Sequence, residues 1–268
     1  MAIPCYNEAA AVEAVVAEWR AALPGAEVVV FDNNSTDGTG AIARRLGVRV
    51  VEVPEQGKGH AVRAIFADLA DRDAVIMVDG DGTYPADVAA DLLEPILTGR
   101  ADMVVGARRP VAKAGAMSPV RGLGNLLINA AFAVLIGPGT GDLLSGYRVF
   151  GRRFREVVRP RSTGFEIEAE LSGQAVTRGL RVVEVPVSYH PRIAGTASKL
   201  RAFRDGRRIL GAILAQGIRS RPWRPLLALA GPIALVGLSA GSWPIVLVAA
   251  TLVVAAIAPA AWVASSRG

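Results

Sequence analysis

The sequence predicts an α/β domain built on a largely parallel, doubly wound sheet and followed by a C-terminal transmembrane helical hairpin. Three observations predict it: short Val- and Ile-rich runs recur, helical patterns fall between them, and charge disappears from the chain after Leu226.

Only Met1, Ala2 and Ile3 precede Pro4, so the first strand is expected to be clipped against the usual five or six residues, roughly. A helical pattern covers Ala9 to Ala22, and the apolar run Glu27 to Phe31 reads as a buried strand. The alternation continues with a helix at Thr39 to Leu46, a strand at Val48 to Val53, a helix at Gly59 to Leu69, a strand at Ala74 to Val78 and a helix at Ala86 to Leu97. Met103 to Gly106 and Val182 to Val187 are further strands. Strands alternating with helices imply a parallel sheet. Gly122 to Ile136 is apolar, with Asn125 and Asn129 one turn apart, and reads either as a packing helix or as an interfacial one. Phe203, Ile209, Leu210, Ile213, Leu214 and Ile218 keep helical spacing with arginines on the other face, the pattern of a helix lying in a membrane interface.

Leu226 to Ala240 carries no charge, Gly241 to Pro244 reads as a turn, and Ile245 to Ala264 is again uncharged. The second stretch has the roughly 20 residues that cross the hydrocarbon; the first reaches that length only with its flanks. Arg219, Arg221 and Arg224 before the hairpin and Arg267 after it place both ends on the cytoplasmic side of a cell membrane. A buried helix pair in a soluble core is the plainer alternative. The expected parts are a globular domain over residues 1–198, a basic juxtamembrane segment over 199–224 and two transmembrane helices over 225–268.

Hydrophobic residues make up 51% of the chain and the mean hydropathy is +0.36, with the excess at the C-terminal end. A net charge of +6 raises nucleic acid as a partner, but eight basic residues and one acid lie between Lys199 and Arg224, which leaves the rest near neutrality. That is a belt for anionic membrane lipids, with no nucleic-acid face. The single cysteine, Cys5, excludes a disulfide within the chain and a thiolate zinc site, and fits a reducing compartment. No signal-peptide pattern opens the chain, so the globular part is expected to be cytoplasmic.

The strongest chemical signal is Val78-Asp79-Gly80-Asp81-Gly82 at the end of a strand. Ligands of open α/β sheets collect at the carboxyl ends of strands, and two carboxylates there suit Mg²⁺ or Mn²⁺ bridging a diphosphate. The plainer alternative is a strand-ending turn. Phe31 to Thr39 (FDNNSTDGT) follows another strand and opens a helix; one or two of its polar residues are expected to cap that helix, while Asp32 is placed to read a base or ribose hydroxyls. Pro4-Cys5-Tyr6-Asn7-Glu8 holds the same position after the first strand. Lys58, flanked by Gly57 and Gly59 at a helix start, is a candidate phosphate contact or a surface turn, and the spacing is not that of a Walker A loop.

Together these segments resemble the nucleotide-sugar transferases of glycosyltransferase family 2, which have the GT-A fold, and in particular the polyprenyl- and dolichyl-phosphate hexose synthases. The resemblance runs from about Pro4 to Leu210. It implies that Pro4, Tyr6, Glu8 and Asp32 line a nucleoside pocket with Lys58 near it, and that Asp79 and Asp81 are the Asp-x-Asp metal ligands. Asn7, Asn34 and Gly80 are counted with the substrate-binding residues. Ser145 to Phe150, with Arg148, and Thr163 to Glu170, with Glu166 and Glu168, resemble family segments near the acceptor; Arg192, Ser198, Lys199 and Arg201 resemble a basic stretch that holds phosphates.

The implied reaction is inverting transfer of a hexose from a UDP- or GDP-hexose to a polyprenyl phosphate. The dolichyl-phosphate mannose pattern Asp-x-Asp-x-Gln is replaced by Gly82-Thr83-Tyr84-Pro85 after Asp81, which leaves the sugar and the base open. A phosphate acceptor is largely ionised at neutral pH and needs no strong base, so Glu166 and Glu168 would act as bases only toward a hydroxyl acceptor, the alternative reading. A nucleotidyltransferase would need a Gly-rich loop after the first strand, and a non-catalytic membrane-docking relative would not need Asp79 and Asp81. A homo-oligomer is left open.

Overall fold

The computed structural model describes residues 1–110, 119–196, 199 and 202–253. In chain order the elements are β1 (Ala2–Cys5), α1 (Val12–Ala22), β2 (Val29–Asp32), α2 (Thr39–Arg45), β3 (Arg49–Glu52), α3 (Lys58–Asp68), β4 (Ala74–Met77), α4 (Ala89–Leu97) and β5 (Met103–Pro110). There follow α5 (Pro119–Leu135), β6 (Arg148–Gly151), α6 (Arg152–Val157), α7 (Ile167–Thr177), β7 (Val182–Tyr189), α8 (Ala202–Ser220) and α9 (Trp223–Ser239).

The β-branched runs of β2, β4 and β5 form strands buried on both faces, the edge strands β3 and β7 are partly exposed, and period-two geometry divides the inner side chains between two cores. Ile3, Val30, Ile76, Val104 and Val149 enter one core with α1 and α4, beside Val15, Trp19 and Leu92. Their neighbours Ala2, Val29, Phe31, Val75, Met77, Met103, Val105 and Phe150 enter the other, beside Val62 and Ile65 of α3 and Leu171 of α7. The seven strands lie in the order β3-β2-β1-β4-β6-β5-β7. The sheet is parallel apart from β6, which runs antiparallel to both β4 and β5. The first strand takes in Pro4 and Cys5, which the sequence reading assigned to the loop beyond it, and pairs with Val29 to Asp32.

From β1 the chain moves outward through β2 to β3, then returns to lay β4 against the other side of β1. This change of direction opens a crevice beyond the carboxyl ends of β1 and β4, where ligands of such sheets bind.

A third core joins α5 to α8. Ile128, Phe132 and Ile136 meet Ile209 and Ile213, with Leu143 and Ala169 beneath. The opposite surfaces stay open: Leu126, Leu127 and Val134 of α5 and Phe203, Leu210, Leu214 and Ile218 of α8 are exposed.

The expected spanning hairpin is not found among the described residues, where no helix is long and apolar enough to cross a membrane. α9 has 17 residues, a rise of about 25 Å against a hydrocarbon core of about 30 Å. The chain does fold back, through a left-handed Gly241 into helical residues 243–253, and a Cβ on Gly237 would touch Ile245 and Val246. Residues 254–268, which carry the rest of the second expected span, lie outside the described residues.

Candidate active site

Two loops interlock at the crevice. Asn7 and Asn34 take left-handed backbone conformations, at φ 54° and 61°, a region that Asn tolerates better than most residues. Asn7 Oδ1 accepts from the Thr36 amide, and the Asn7 amide donates to Ser35 Oγ. Asp37 accepts from the amides of Ala9 and Thr39, and Thr39 Oγ1 accepts from the Glu8 amide. The polar run after β2 thus braces the loop after β1. Asn33 ties in the next loop: its Nδ2 donates to Glu55 O, and its Oδ1 accepts from the Gly57 amide at 2.6 Å. That amide opens α3 and sets Lys58 in the crevice.

Lysine and arginine side chains meet carboxylates across the crevice. Lys58 Nζ lies 2.6 Å from Asp79 Oδ1 and 2.5 Å from Glu168 Oε1. Burial disfavours the lysine's charge, but Asp79 and Glu168 outweigh it and hold the ammonium firmly protonated. Arg192 Nη1 lies 2.6 Å from Asp81 Oδ2, and Asp81 Oδ1 accepts from Thr83 Oγ1 at 2.7 Å. Burial and the neighbouring Asp79 nevertheless push the Asp81 carboxyl up. Glu8, sealed nearby, is pushed to about 7 by burial against the pull of Lys199 and Arg192. Lys199 Nζ reaches Glu8 Oε1 at 3.5 Å and the Asn7 carbonyl at 2.9 Å.

Glycines let these parts close on one another. A Cβ on Gly80 would lie 2.5 Å from Cys5 Sγ, so the Asp79-Gly80-Asp81 turn rests directly on the end of β1. A side chain on Gly57 or Gly59 would strike the backbone of Thr163 or Ser162, the segment that walls the crevice opposite β1. A Cβ on Gly146 would fall onto the Asp79 carboxylate.

The result is a cavity of about 600 Å³ lined by Pro4, Tyr6, Glu8, Lys58, Asp79, Gly80, Asp81, Arg192 and Lys199, all expected from sequence. Thr163 to Phe165, from the segment expected near the acceptor, line it as well, and Asn33, Gln56 and, from α8, Arg204 and Arg208 line it without having been expected. Asp32, expected in the nucleoside pocket, is not among the lining residues: Oδ1 accepts from the Ser35 amide and Oδ2 packs on Gly40 of α2, and Asn34 is exposed. Glu168 lies behind Lys58, and Glu166 accepts from the Gly164 amide. Arg148 is corrected: it is fully buried and donates to the carbonyls of Leu143 and Ser145 and to Ser172 Oγ, so it fastens the loop before β6 and does not face the cavity. Ser198 and Arg201 lie outside the described residues.

Asp79 and Asp81 offer hard oxygen donors in the cavity lining, Asp79 beside Lys58 and Asp81 beside Arg192. Among the described residues no group of three His, Cys, Asp or Glu side chains forms a closed cage. Two carboxylates with room for a ligand's own oxygens suit Mg²⁺ or Mn²⁺, which keep waters and phosphate oxygens in their shell.

The profile of "Glycosyl transferase family 2" matches residues 1–157. Glycosyltransferase AglJ of Haloferax volcanii is 40% identical over 203 residues, 76% of this chain and 66% of that protein. The chain therefore spans just under two thirds of that relative. A dolichyl-phosphate hexose transferase of the same organism is 33% identical over 219 residues, covering 81% of this chain and 92% of the relative. Among solved structures, glucosyl-3-phosphoglycerate synthase from Mycobacterium tuberculosis, in complex with Mn²⁺, uridine diphosphate and glucosyl-3-phosphoglycerate, superposes with a TM-score of 0.62 at 24% identity, covering 80% of this chain and 78% of that one. The fold is shared with that enzyme, and on the sequence match the chain belongs to glycosyl transferase family 2.

Proposed function

We propose that the chain transfers a hexose from a UDP- or GDP-hexose to a polyprenyl phosphate at a membrane surface, with inversion at the anomeric carbon. The observation that carries this reading is the pairing of Asp79 and Asp81 with Lys58 and Arg192 at the crevice between β1 and β4. Asp79 and Asp81 would hold Mg²⁺ or Mn²⁺, which neutralises charge on the leaving nucleoside diphosphate. Lys58 and Arg192 lie where they can contact the diphosphate oxygens, and Tyr6, Glu8 and Asn33 shape the adjoining nucleoside end.

On the acceptor side Glu168 is committed to Lys58, whereas Glu166 accepts from the Gly164 amide through Oε1 and has no partner at Oε2 among the described residues. Glu166 is thus the carboxylate that would serve a hydroxyl acceptor and is not needed by a phosphate, which arrives ionised. A polyprenyl acceptor also accords with the relative named a dolichyl-phosphate hexose transferase. The exposed apolar side chains of α5, α8 and α9 support a docking role at the cytoplasmic face of a membrane, with residues 1–198 as the transferase unit, 199–224 as the interfacial segment and 225–268 as the anchor.

The test is transfer of radiolabelled sugar from a panel of UDP- and GDP-hexoses to polyprenyl phosphate with Mn²⁺ or Mg²⁺, comparing the wild type with Asp81→Ala. Label entering the lipid fraction and lost in the variant supports the reading and identifies the donor. Metal-dependent nucleotide binding without lipid labelling would transfer the reading to a hydroxyl acceptor.

A further inference from the structure

The cations around the cavity are not equivalent. Lys58 is held by Asp79 and Glu168, Arg192 by Asp81, Lys199 by Glu8, and Arg204 by the buried Asp205. Arg208, exposed on α8 and lining the same cavity, is in no ion pair among the described residues. It is the surplus positive charge of the crevice.

Helix geometry then separates two jobs along α8. At about 100° per residue, Arg204 and Arg208 share one face, one turn apart. Ile209, Ile213 and Gln216 are buried on the next face, and Phe203, Leu210, Leu214 and Ile218 are exposed beyond them. Leu210 stands about 200° around the helix from Arg208, whereas Arg207 falls within about 20° of Leu214. What sets Arg204 and Arg208 apart from Arg207 is that both line the cavity that holds Asp79 and Asp81.

We propose that Arg204 and Arg208 form the subsite that grips the phosphate monoester of the acceptor, a refinement that rests on the transferase reading above. Guanidinium groups bind phosphate oxygens in a bidentate manner, and two on successive turns match one phosphate. Asp205 fixes Arg204, with Nε 3.2 Å from Oδ1, and Arg208 supplies the uncommitted charge. The same helix that turns apolar side chains outward thus turns its phosphate-binding groups inward. This links a phosphate on an apolar tail to the reacting centre, while a tail-free phosphate offers the same headgroup chemistry.

The experiment is equilibrium dialysis of radiolabelled farnesyl phosphate, farnesol and 3-phosphoglycerate against the full chain in detergent, with Mn²⁺ and UDP or GDP present. The wild type is expected to bind farnesyl phosphate at least about tenfold more tightly than farnesol, and Arg208→Gln or Arg204→Gln to remove that advantage. Arg208→Lys should keep part of it, and Arg207→Gln all of it. Binding of 3-phosphoglycerate with equal affinity and equal dependence on Arg208 would assign the subsite to soluble phosphates. Retention of the phosphate advantage in Arg208→Gln and Arg204→Gln, both folded by circular dichroism, overturns the subsite. Transfer measured in parallel separates the two readings. Phosphate-selective binding without transfer to any phosphate acceptor removes the proposed reaction alone, and transfer with an unchanged acceptor KM in both variants removes the subsite alone.

Discussion

At the scale of single residues, Gly146 packs directly against the Asp79 carboxylate. Its amide donates to the buried Tyr84 hydroxyl at 3.0 Å, which holds the backbone in place, and an added Cβ would lie 2.6 Å from Asp79 Cγ. Gly146→Ala must therefore displace the carboxylate. Sugar transfer is expected to fall about 100-fold, the scale set by misplacing a reacting group by an ångström. The cost to stability should stay within the roughly 1–3 kcal/mol of ordinary overpacking, read from kcat/KM beside a denaturant midpoint. A second expectation follows from the ion pairs. Mn²⁺ alone must compete with Lys58 for Asp79 and with Arg192 for Asp81, whereas a diphosphate gives both cations other partners. Electron paramagnetic resonance titration should show Mn²⁺ binding at least about tenfold tighter with UDP or GDP, and by linkage the nucleotide gains the same factor from Mn²⁺. Equal affinity with and without nucleotide would contradict this. The strand-end residues were legible because short apolar runs ending in Asp or Asn announce themselves. Asn33 and Arg148 were not: one works through the backbone of a loop 24 residues on, and the other looks like any surface arginine until the fold buries it.

At the scale of elements, Asp102 joins the start of β5 to that of β7. It is buried and accepts from the Arg181 amide and from Nε and Nη2 of Arg181. Burial would raise its carboxyl, but the hydrogen bonds and charge of Arg181 prevail and hold it below the usual range. A depressed native value means that the unfolded chain binds the proton more readily. The stabilisation is therefore complete above the unfolded value of about 3.9 and fades as pH falls through the native one. Asp102→Asn should destabilise the fold by about 1.5–3 kcal/mol at neutral pH, and urea unfolding should show the gap from wild type narrowing below about pH 4. The five Val- and Ile-rich strands, β2 to β5 and β7, were readable from composition. β6 was missed because it begins with a buried arginine and, unlike β2 to β4, contains a single Val or Ile. α7 was missed for a related reason: Ile167 to Ala175 are buried without a break, so no polar face gives a helical period. The cavity wall at Thr163 to Phe165 reaches α3 from about 100 residues away; its motif pointed to the acceptor end, but its contact with the start of α3 is long-range and leaves no local pattern.

At the scale of the molecule, charge and apolar surface are segregated. Phe203 is 88% exposed, and Leu210 and Leu214 of α8, Trp223 of α9 and Trp243 beyond it are exposed as well. Arg207, Arg219, Arg221 and Arg224 accompany them in sequence. Co-sedimentation with phosphatidylglycerol vesicles should exceed that with phosphatidylcholine and weaken as salt is raised. Phe203→Ser with Leu210→Ser should lower partitioning by about 10- to 100-fold from lost apolar burial, leaving nucleotide binding intact. Unchanged partitioning would mean that the anchor lies elsewhere.

The chain's single thiol lies sealed beneath the Asp79-Gly80-Asp81 turn, with Cys5 1% exposed and its ionisation suppressed by burial. A thiol reagent can reach it only in molecules whose turn has lifted off β1, so the labelling rate is a clock for that opening. The sulfur reports the breathing of the carboxylate turn without any introduced probe. If metal and nucleotide clamp the turn, they should slow the clock together and hardly at all one by one.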